Sequence, residues 1–482
     1  MIENGEIIMR KLSGIEPSEV MGYFEDICSI PHGSGNTKMI SDYLVSFAET
    51  HGFKYRRDGF NNVIIFAPGS KGCENSPSVI IQGHMDMVAE KTKDCTKDME
   101  KEGLDIYVED GFVKARDTTL GGDDGIALAY ALAAMTSKDV VHPPIEAVFT
   151  VDEETGMTGA TGIDVSELKG RTMLNIDSEQ EGVFTVSCAG GANAYVTIPT
   201  AREVANGIVF ELTVDGLKGG HSGVEIDKGR GNSNTLMGRL LYSMKDKIKL
   251  CSLKGGSKGN AIPLSTTAVV VADEDISAIV AETEKAFKNE LRSTDENVRV
   301  SCVNKGIGTQ NTATETQKII SYLMTAPNGI YAYSAEIPGL VQTSLNLGVL
   351  ELAEDKMTAL YAVRSSVGTQ RVWLCDMLSA VAESLGGTAE FDGIYSEWEY
   401  KKESKLRDLM TEVYKEQYGS EPVIEAIHAG VECGIFAGNL PGLDCVSFGP
   451  DLLEIHTVRE RMDIKSVERT WKLIKETLRR LS

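Results

Sequence analysis

The chain has 482 residues, 42% hydrophobic and 25% charged, which is enough for a large core and for two or three domains. Its 71 Asp and Glu outnumber 48 Lys and Arg, and the net charge of -23 argues against nucleic acid or an anionic membrane as a partner while suiting a cationic metal. Nine scattered cysteines with no CxxC pair read as reduced thiols of a cytoplasmic protein. The N-terminal stretch lacks the apolar run of a signal peptide, and no segment approaches the ~18 apolar residues of a membrane span.

From about residue 16 to 190, strand-like runs alternate with helical periods. VSFAETHGF ends a helix, NNVIIFAPG and SVIIQGH read as strands, and GIALAYALAAM reads as an apolar helix. EAVFTVDEE, TMLNIDSE and GVFTVSCAGG read as strands again, giving an α/β pattern. The character then changes. FELTVDGL, STTAVVVA, VRVSCV, the region SLNLGVLELAEDKMTALYAVRSS and TAEFDGIYS read as strands, interleaved with helices at TLMGRLLYSMKDKI, ISAIVAETEKAFKNEL, Thr316 to Met324 and VWLCDMLSAVAESL. From about 398 the first style returns, with helix SKLRDLMTEVYKEQYG, loop IHAGVECGIF, strand DCVSFGP and closing helix SVERTWKLIKETLRRL. The expected fold is α/β. Residues 1–189 and 398–482 form a discontinuous catalytic domain with a central mixed sheet flanked by helices, and 190–397 form an inserted α+β domain.

Five segments carry candidate chemistry. In SVIIQGHMDMV, the period of two along extended chain puts His84 and Asp86 on one face, so His84 can ligate a metal while Asp86 accepts the proton of its other ring nitrogen. TLGGDDGIALAYAL opens a helix with glycines that let Asp123 or Asp124 approach closely and bridge two ions. AVFTVDEETGM ends a strand in Glu153 and Glu154, TMLNIDSE ends one in Asp177, and a Gly-Pro turn delivers His456. Any one of these alone is an ordinary strand end or helix cap. Together they converge where open α/β sheets bind ligands, beyond the carboxyl ends of the strands. Two histidines and three carboxylates suit two Zn, Mn or Co ions, and the spare glutamate can take a proton from water. On an extended backbone the adjacent glutamates leave in opposite directions, so one can face a metal and the other the water.

GHMDMV, TLGGDDGIALAYAL, VDEETGM, NIDSE, GGHSG, GNAIP and IHAGVECGIF, in this order and across nearly the whole chain, resemble the aminoacylase-related dinuclear metallopeptidases, within them the aminoacyl-histidine dipeptidase branch. The resemblance implies His84, Asp123 and Asp177 on one metal, and Asp123, Glu154 and His456 on the other, with Zn as the foremost metal. It implies Glu153 as general base and Asp86 as the carboxylate that orients His84. The inserted domain resembles the family's lid, which also carries dimer contacts, so a homodimer is expected. There His221 matches an oxyanion-stabilising histidine, Asn260 and Arg364 match substrate-binding positions, and Glu432 is a further candidate for the substrate's amino group.

Three features depart from the pattern: Asp-Asp-Gly in place of Asp-Asn-Gly, IHTVRE in place of a His-Ser-Pro motif, and GSKGNAIPLS without an arginine. The expected activity is metal-dependent hydrolysis of short unblocked peptides, with Xaa-His among the preferences. The alternatives are an aminoacylase-like amidohydrolase of N-acyl amino acids and a non-catalytic metal-dependent binding protein on the same fold. Retention of Glu153 argues against the latter.

Overall fold

A computed structural model describes residues 10–482, with the backbone of Ile2–Glu3 and Glu6–Ile7. The start of the N-terminal stretch read for a signal peptide lies outside these residues. Among the described residues no helix is long and apolar enough to cross a membrane.

Contacts divide the chain into two compact units, one of residues 1–187, 400–426 and 431–482, the other of residues 188–399 and 427–430. The tetrapeptide 427–430, which the sequence pattern groups with the flanking segment, pairs with the inserted unit instead. The Ala189 amide donates to the carbonyls of Ile427 and Ala429 at 3.2 and 3.1 Å.

The first unit is built on an eight-stranded mixed sheet. Its order is Val423–Ile427, Val183–Cys188, Asp444–Ser447, Thr172–Asn175, Val79–His84, Ile145–Thr150, Val63–Ala67 and Lys54–Arg57. The strands from Asp444–Ser447 to Ile145–Thr150 run parallel, Val183–Cys188 and Val63–Ala67 pair antiparallel to the two ends of that block, and Lys54–Arg57 pairs antiparallel to Val63–Ala67. Val79–His84 and Ile145–Thr150 are buried at every position, as expected of central strands covered on both faces. Helix Gly122–Thr136 is buried along almost its whole length, which is why its sequence is apolar all round. The closing helix Ile464–Arg480 is amphipathic instead. Asp463 caps it by accepting from the Ser466 amide, and Trp471 stacks on Tyr130, whose hydroxyl donates to the Val467 carbonyl. This contact fixes the C-terminal segment against the N-terminal half.

A small four-stranded sheet, invisible to the periodicity, joins Leu452–Leu453, Arg461–Asp463, Phe112–Ala115 and Ile106–Glu109. Pairing of Leu453 with Arg461 leaves residues 454–460 as the tip that carries His456.

The inserted unit is a nine-stranded sheet, antiparallel at every described pairing, with helices Ser233–Ser243, Ser277–Glu290, Thr316–Thr325 and Gly368–Ser384 contributing to its core. VRVSCV is only the start of strand Arg299–Ala313. Continuous pairing with Arg202–Asp215 carries it through a polar, glycine-containing stretch of low intrinsic strand propensity. GVFTVSCAGG is not one strand but two, Val183–Cys188 in the first unit's sheet and Gly190–Pro199 in the second's. The segment IHAGVECGIF is not a loop throughout, since helix Glu432–Asn439 begins within it.

Candidate metal centre

The parallel strands deliver their chemistry at their carboxyl ends. His84 closes Val79–His84, Glu153 and Glu154 follow Ile145–Thr150, and Asp177 follows Thr172–Asn175. Asp123 enters from the start of helix Gly122–Thr136, which lies close against the strand: a side chain at Gly83 would meet Ala127 Cβ and Asp124 Oδ2, each at 2.5 Å. The turn before that helix needs Gly121 in the left-handed region (φ 67°), where a Cβ would also strike Met87 Sδ at 2.7 Å.

Asp123 sits between two imidazoles. Its Oδ1 lies 3.1 Å from His84 Nε2, and its Oδ2 lies 3.1 Å from His456 Nε2. Asp177 Oδ1 is 3.5 Å from His84 Nε2, and Glu154 Oε1 is 2.7 Å from His456 Nε2. Asp124 turns away, and its Oδ2 accepts from the His84 amide. Two ligand groups can therefore each close around a point: His84, Asp123 and Asp177, and Asp123, Glu154 and His456, each with donor atoms within 4.8 Å of one another. A third grouping, His84 with Glu153 and Glu154, also satisfies that distance. Glu154 Oε1 is buried with His456 Nε2, at 2.7 Å, beside it, so the pair presents one oxygen and one nitrogen to the same point. Mixed nitrogen and oxygen donors at this spacing, with no Lys or Arg paired to them among the described residues, fit two divalent ions.

The electrostatics follow from this crowding. Burial raises the Asp123 carboxyl, but His456 and His84 outweigh it and hold the group well below the usual carboxylate range. Burial alone would lower His84, yet Asp123, Asp177 and Asp86 hold it well above its ordinary value. Asp123 and Glu154 push His456 up to about 10. Asp124 goes the other way, raised well above the carboxylate range by burial and by Asp177, which sets it apart from Asp123. Burial pushes Glu153 up to about 9, with His84 opposing and Asp177, Glu432 and Glu154 adding to the rise. It is a group with high proton affinity.

Two expectations about local geometry change. The glutamate pair does not lie on extended backbone: the strand stops at Thr150, Asp152 has a positive φ of 56°, and the Gly156 and Met157 amides both donate to the Glu153 carbonyl. A turn, rather than strand alternation, separates the two side chains. The nearest acceptor for His84 Nδ1 is the backbone carbonyl of Asp86 at 3.0 Å, with the Asp86 carboxylate at 3.5 Å. That carboxylate accepts from the Ser34 hydroxyl and the Glu153 amide, tying the His84 strand to the glutamate turn.

One further residue supports the site without having stood out in the sequence. Glu460, four residues beyond His456, is buried and accepts from the amides of Leu120, Gly121 and Gly122, which lead directly into Asp123. Its only signal in the sequence is a carboxylate in IHTVRE facing the donor-rich TLGG. Glu432 is fully buried. Its Oε2 accepts from Gln82 and Thr150, each at 2.6 Å, its Oε1 has no hydrogen-bond partner, and burial pushes it up to about 7.

In the inserted unit, His221 lies on the two-residue strand Gly220–His221, paired with Ala261–Ile262, and burial followed by the charge of Arg364 lowers its pKa. Asn260 is exposed, and its carbonyl accepts from the Ser222 amide. Arg364 is buried and donates to the Tyr395 hydroxyl.

The model of Peptidase family M20/M25/M40 matches residues 80–480. The chain belongs to this family. As an M20-family peptidase it is a hydrolase acting on peptide bonds. Over 484 residues it is 35% identical to the cytosol non-specific dipeptidase of Escherichia coli (strain K12), covering 98% of this chain and 99% of that protein. The crystal structure of aminoacylhistidine dipeptidase from Vibrio alginolyticus superposes with a TM-score of 0.92 at 37% identity, covering 98% of each chain. The aminopeptidase PepT from Bacillus cereus shares the fold, with a TM-score of 0.57 at 15% identity over 97% of this chain and 99% of that one.

Proposed function

We propose that this M20-family peptidase is a cytoplasmic dipeptidase that cleaves unblocked dipeptides, Xaa-His among them, with two zinc ions held by His84, Asp123, Glu154, Asp177 and His456. The observation that carries this reading is Asp123, whose two oxygens each face a different imidazole. Ions bound there would polarise the scissile carbonyl and acidify a water. The side chains supply the rest. Glu153, left outside the two ligand groups centred on Asp123, takes the proton from the attacking water and returns it to the leaving amine. Asp86 fixes the Glu153 backbone and backs His84. Glu432 we assign to bracing the strand that carries His84, because full burial and its bonds to Gln82 and Thr150 keep it from a ligand.

From the inserted unit, His221 is assigned to the developing oxyanion, and Asn260 and Arg364 to substrate. Burial and Arg364 favour the neutral His221 imidazole, and because its Nδ1 accepts from the Gly223 and Val224 amides, the ring proton sits on Nε2, where it can donate a hydrogen bond. A homodimer is part of the proposal, and sedimentation of the purified protein tests it.

The activity is tested with dipeptide, tripeptide and N-acyl amino acid substrates, before and after chelation. Dipeptide turnover that chelator abolishes and two metal equivalents restore is expected. Preference for N-acyl amino acids would move the enzyme to the aminoacylase reading. Full activity with at most one equivalent would overturn the two-ion scheme.

A further inference from the structure

The inserted unit holds a buried cation with no anion beside it. Arg364 is 8% exposed, yet no carboxylate among the described residues lies within ion-pair distance; its one hydrogen bond goes to the neutral Tyr395 hydroxyl at 3.1 Å, and its Nε has no partner. Burying a guanidinium without a counter-charge is costly unless an anion arrives to pair with it.

A second unsatisfied donor stands next to it. Ser344 and Arg364 are direct partners across the antiparallel strands Val341–Leu352 and Lys356–Ser365, so their side chains leave the same face side by side. The Ser344 hydroxyl lies 2.7 Å from His428 Nε2. His428 comes from the tetrapeptide 427–430, which packs with the inserted unit, and is 6% exposed. Its Nδ1 is buried and has no partner. The Ser344 hydroxyl has no other acceptor among the described contacts. Its hydrogen therefore goes to Nε2, which leaves the imidazole proton on Nδ1 as a donor with nothing to donate to. His221 is part of the same cluster, since a Cβ on Gly223 would lie 2.5 Å from the His428 carbonyl and 2.9 Å from His221 Cε1.

We propose that His428 is a specificity-determining residue: its Nδ1–H and the Arg364 guanidinium together bind the terminal carboxylate of the peptide, and Ser344 is the positioning residue that sets the imidazole's tautomer. This deepens the dipeptidase reading and rests on it for the identity of the ligand. Burial first, then the charge of Arg364, push His428 down to about 3, so at physiological pH the ring is a neutral donor and adds no charge to the pocket. Arg364 alone would attract any anion. A neutral donor at a fixed angle adds geometry, which favours a planar carboxylate over an amide that presents an N–H to the same spot.

The test uses a dipeptide analogue with a methylene in place of the scissile carbonyl, and its C-terminal amide, titrated calorimetrically into the metal-loaded enzyme. The wild type should bind the acid at least about tenfold more tightly than the amide, and His428→Leu should remove most of that ratio. His428→Gln, which keeps an N–H, should restore part of it. Ser344→Ala should reduce the ratio while Ser344→Thr retains it. Metal content and thermal unfolding identify any variant that fails to fold, and the Ser344 pair then decides alone. A wild type without preference, or His428→Leu and Ser344→Ala with the wild-type ratio, overturns the inference. Failure of the wild type to cleave an ordinary dipeptide would instead sink the dipeptidase reading, and the titration would still measure the pocket.

Discussion

Glu460 offers the sharpest perturbation because its contribution can be worked from three bonds. Its Oε2 accepts from the Leu120 and Gly121 amides at 2.8 and 3.2 Å, and its Oε1 from the Gly122 amide at 2.8 Å. The carboxylate is 4% exposed, so these donors have no ready alternative in water. Glu460→Ala would strand three buried N–H groups at about 1 to 3 kcal/mol each; water entering the vacated space recovers part, leaving a loss of about 3 to 5 kcal/mol. Glu460→Gln keeps one acceptor oxygen and turns an amide nitrogen toward a backbone N–H, a loss of about 1 to 3 kcal/mol. The same turn delivers Asp123, so both variants should also lower metal affinity by roughly 10- to 100-fold, the span typical of groups that support ligands. Urea unfolding of the chelated protein and competition titration with a metal indicator measure the two effects separately. Variants that unfold within about 1 kcal/mol of wild type and hold metal equally well would refute the claim that this carboxylate organises the turn.

The glutamate pair should divide its labour: Glu153→Gln keeps both metals and loses roughly 10² to 10⁴ in kcat, whereas Glu154→Gln loses or weakens one metal. Two variants with intact metals and mild, equal losses in kcat would return the pair to a solvated turn. His456, raised from 6.5 to about 10 by its carboxylates, contributes stability to the metal-free protein that is fully present below about pH 6.5 and is lost as pH rises through about 10. Urea midpoints of chelated wild type and His456→Ala should therefore converge across that window, and a constant difference would contradict the assignment. His221→Ala should lower kcat by roughly 10²-fold with metal content unchanged, measured by steady-state kinetics and metal analysis, and near-normal turnover would leave His221 as a turn residue.

The metal-ligand candidates were legible because each sits within a few residues of a strong local signal: an apolar run that ends, or a glycine pair that opens a helix. Their company was not. Glu460 reaches the amides of Leu120 to Gly122 across some 340 positions of sequence, and His428 reaches Ser344 across 84. No local pattern encodes which distant acceptor will meet a donor, so both residues looked like ordinary polar positions in connecting segments. The glutamate turn escaped for another reason. An apolar run gives the strand's existence but not its last residue, and a strand that stops at Thr150 instead of continuing to Glu154 changes how two neighbouring side chains are aimed. The same uncertainty hid the break within GVFTVSCAGG, where two strands of different sheets meet end to end.

These gaps share a physical origin in the chain order. The first unit takes His84, Asp123, Glu154 and Asp177 from before the insertion, and His456 with Glu460 from after it. Asp123 is thus held from both sides by the C-terminal segment, at its side chain by His456 and at its leading turn by Glu460. The small sheet that pairs Arg461–Asp463 with Phe112–Ala115 and the Trp471 contact with Tyr130 fix that segment in place. Packing far from any ligand therefore decides whether Asp123 can face two imidazoles at once, and the carboxylate at the centre of the site depends on the last strand and helix of the chain as much as on its own helix.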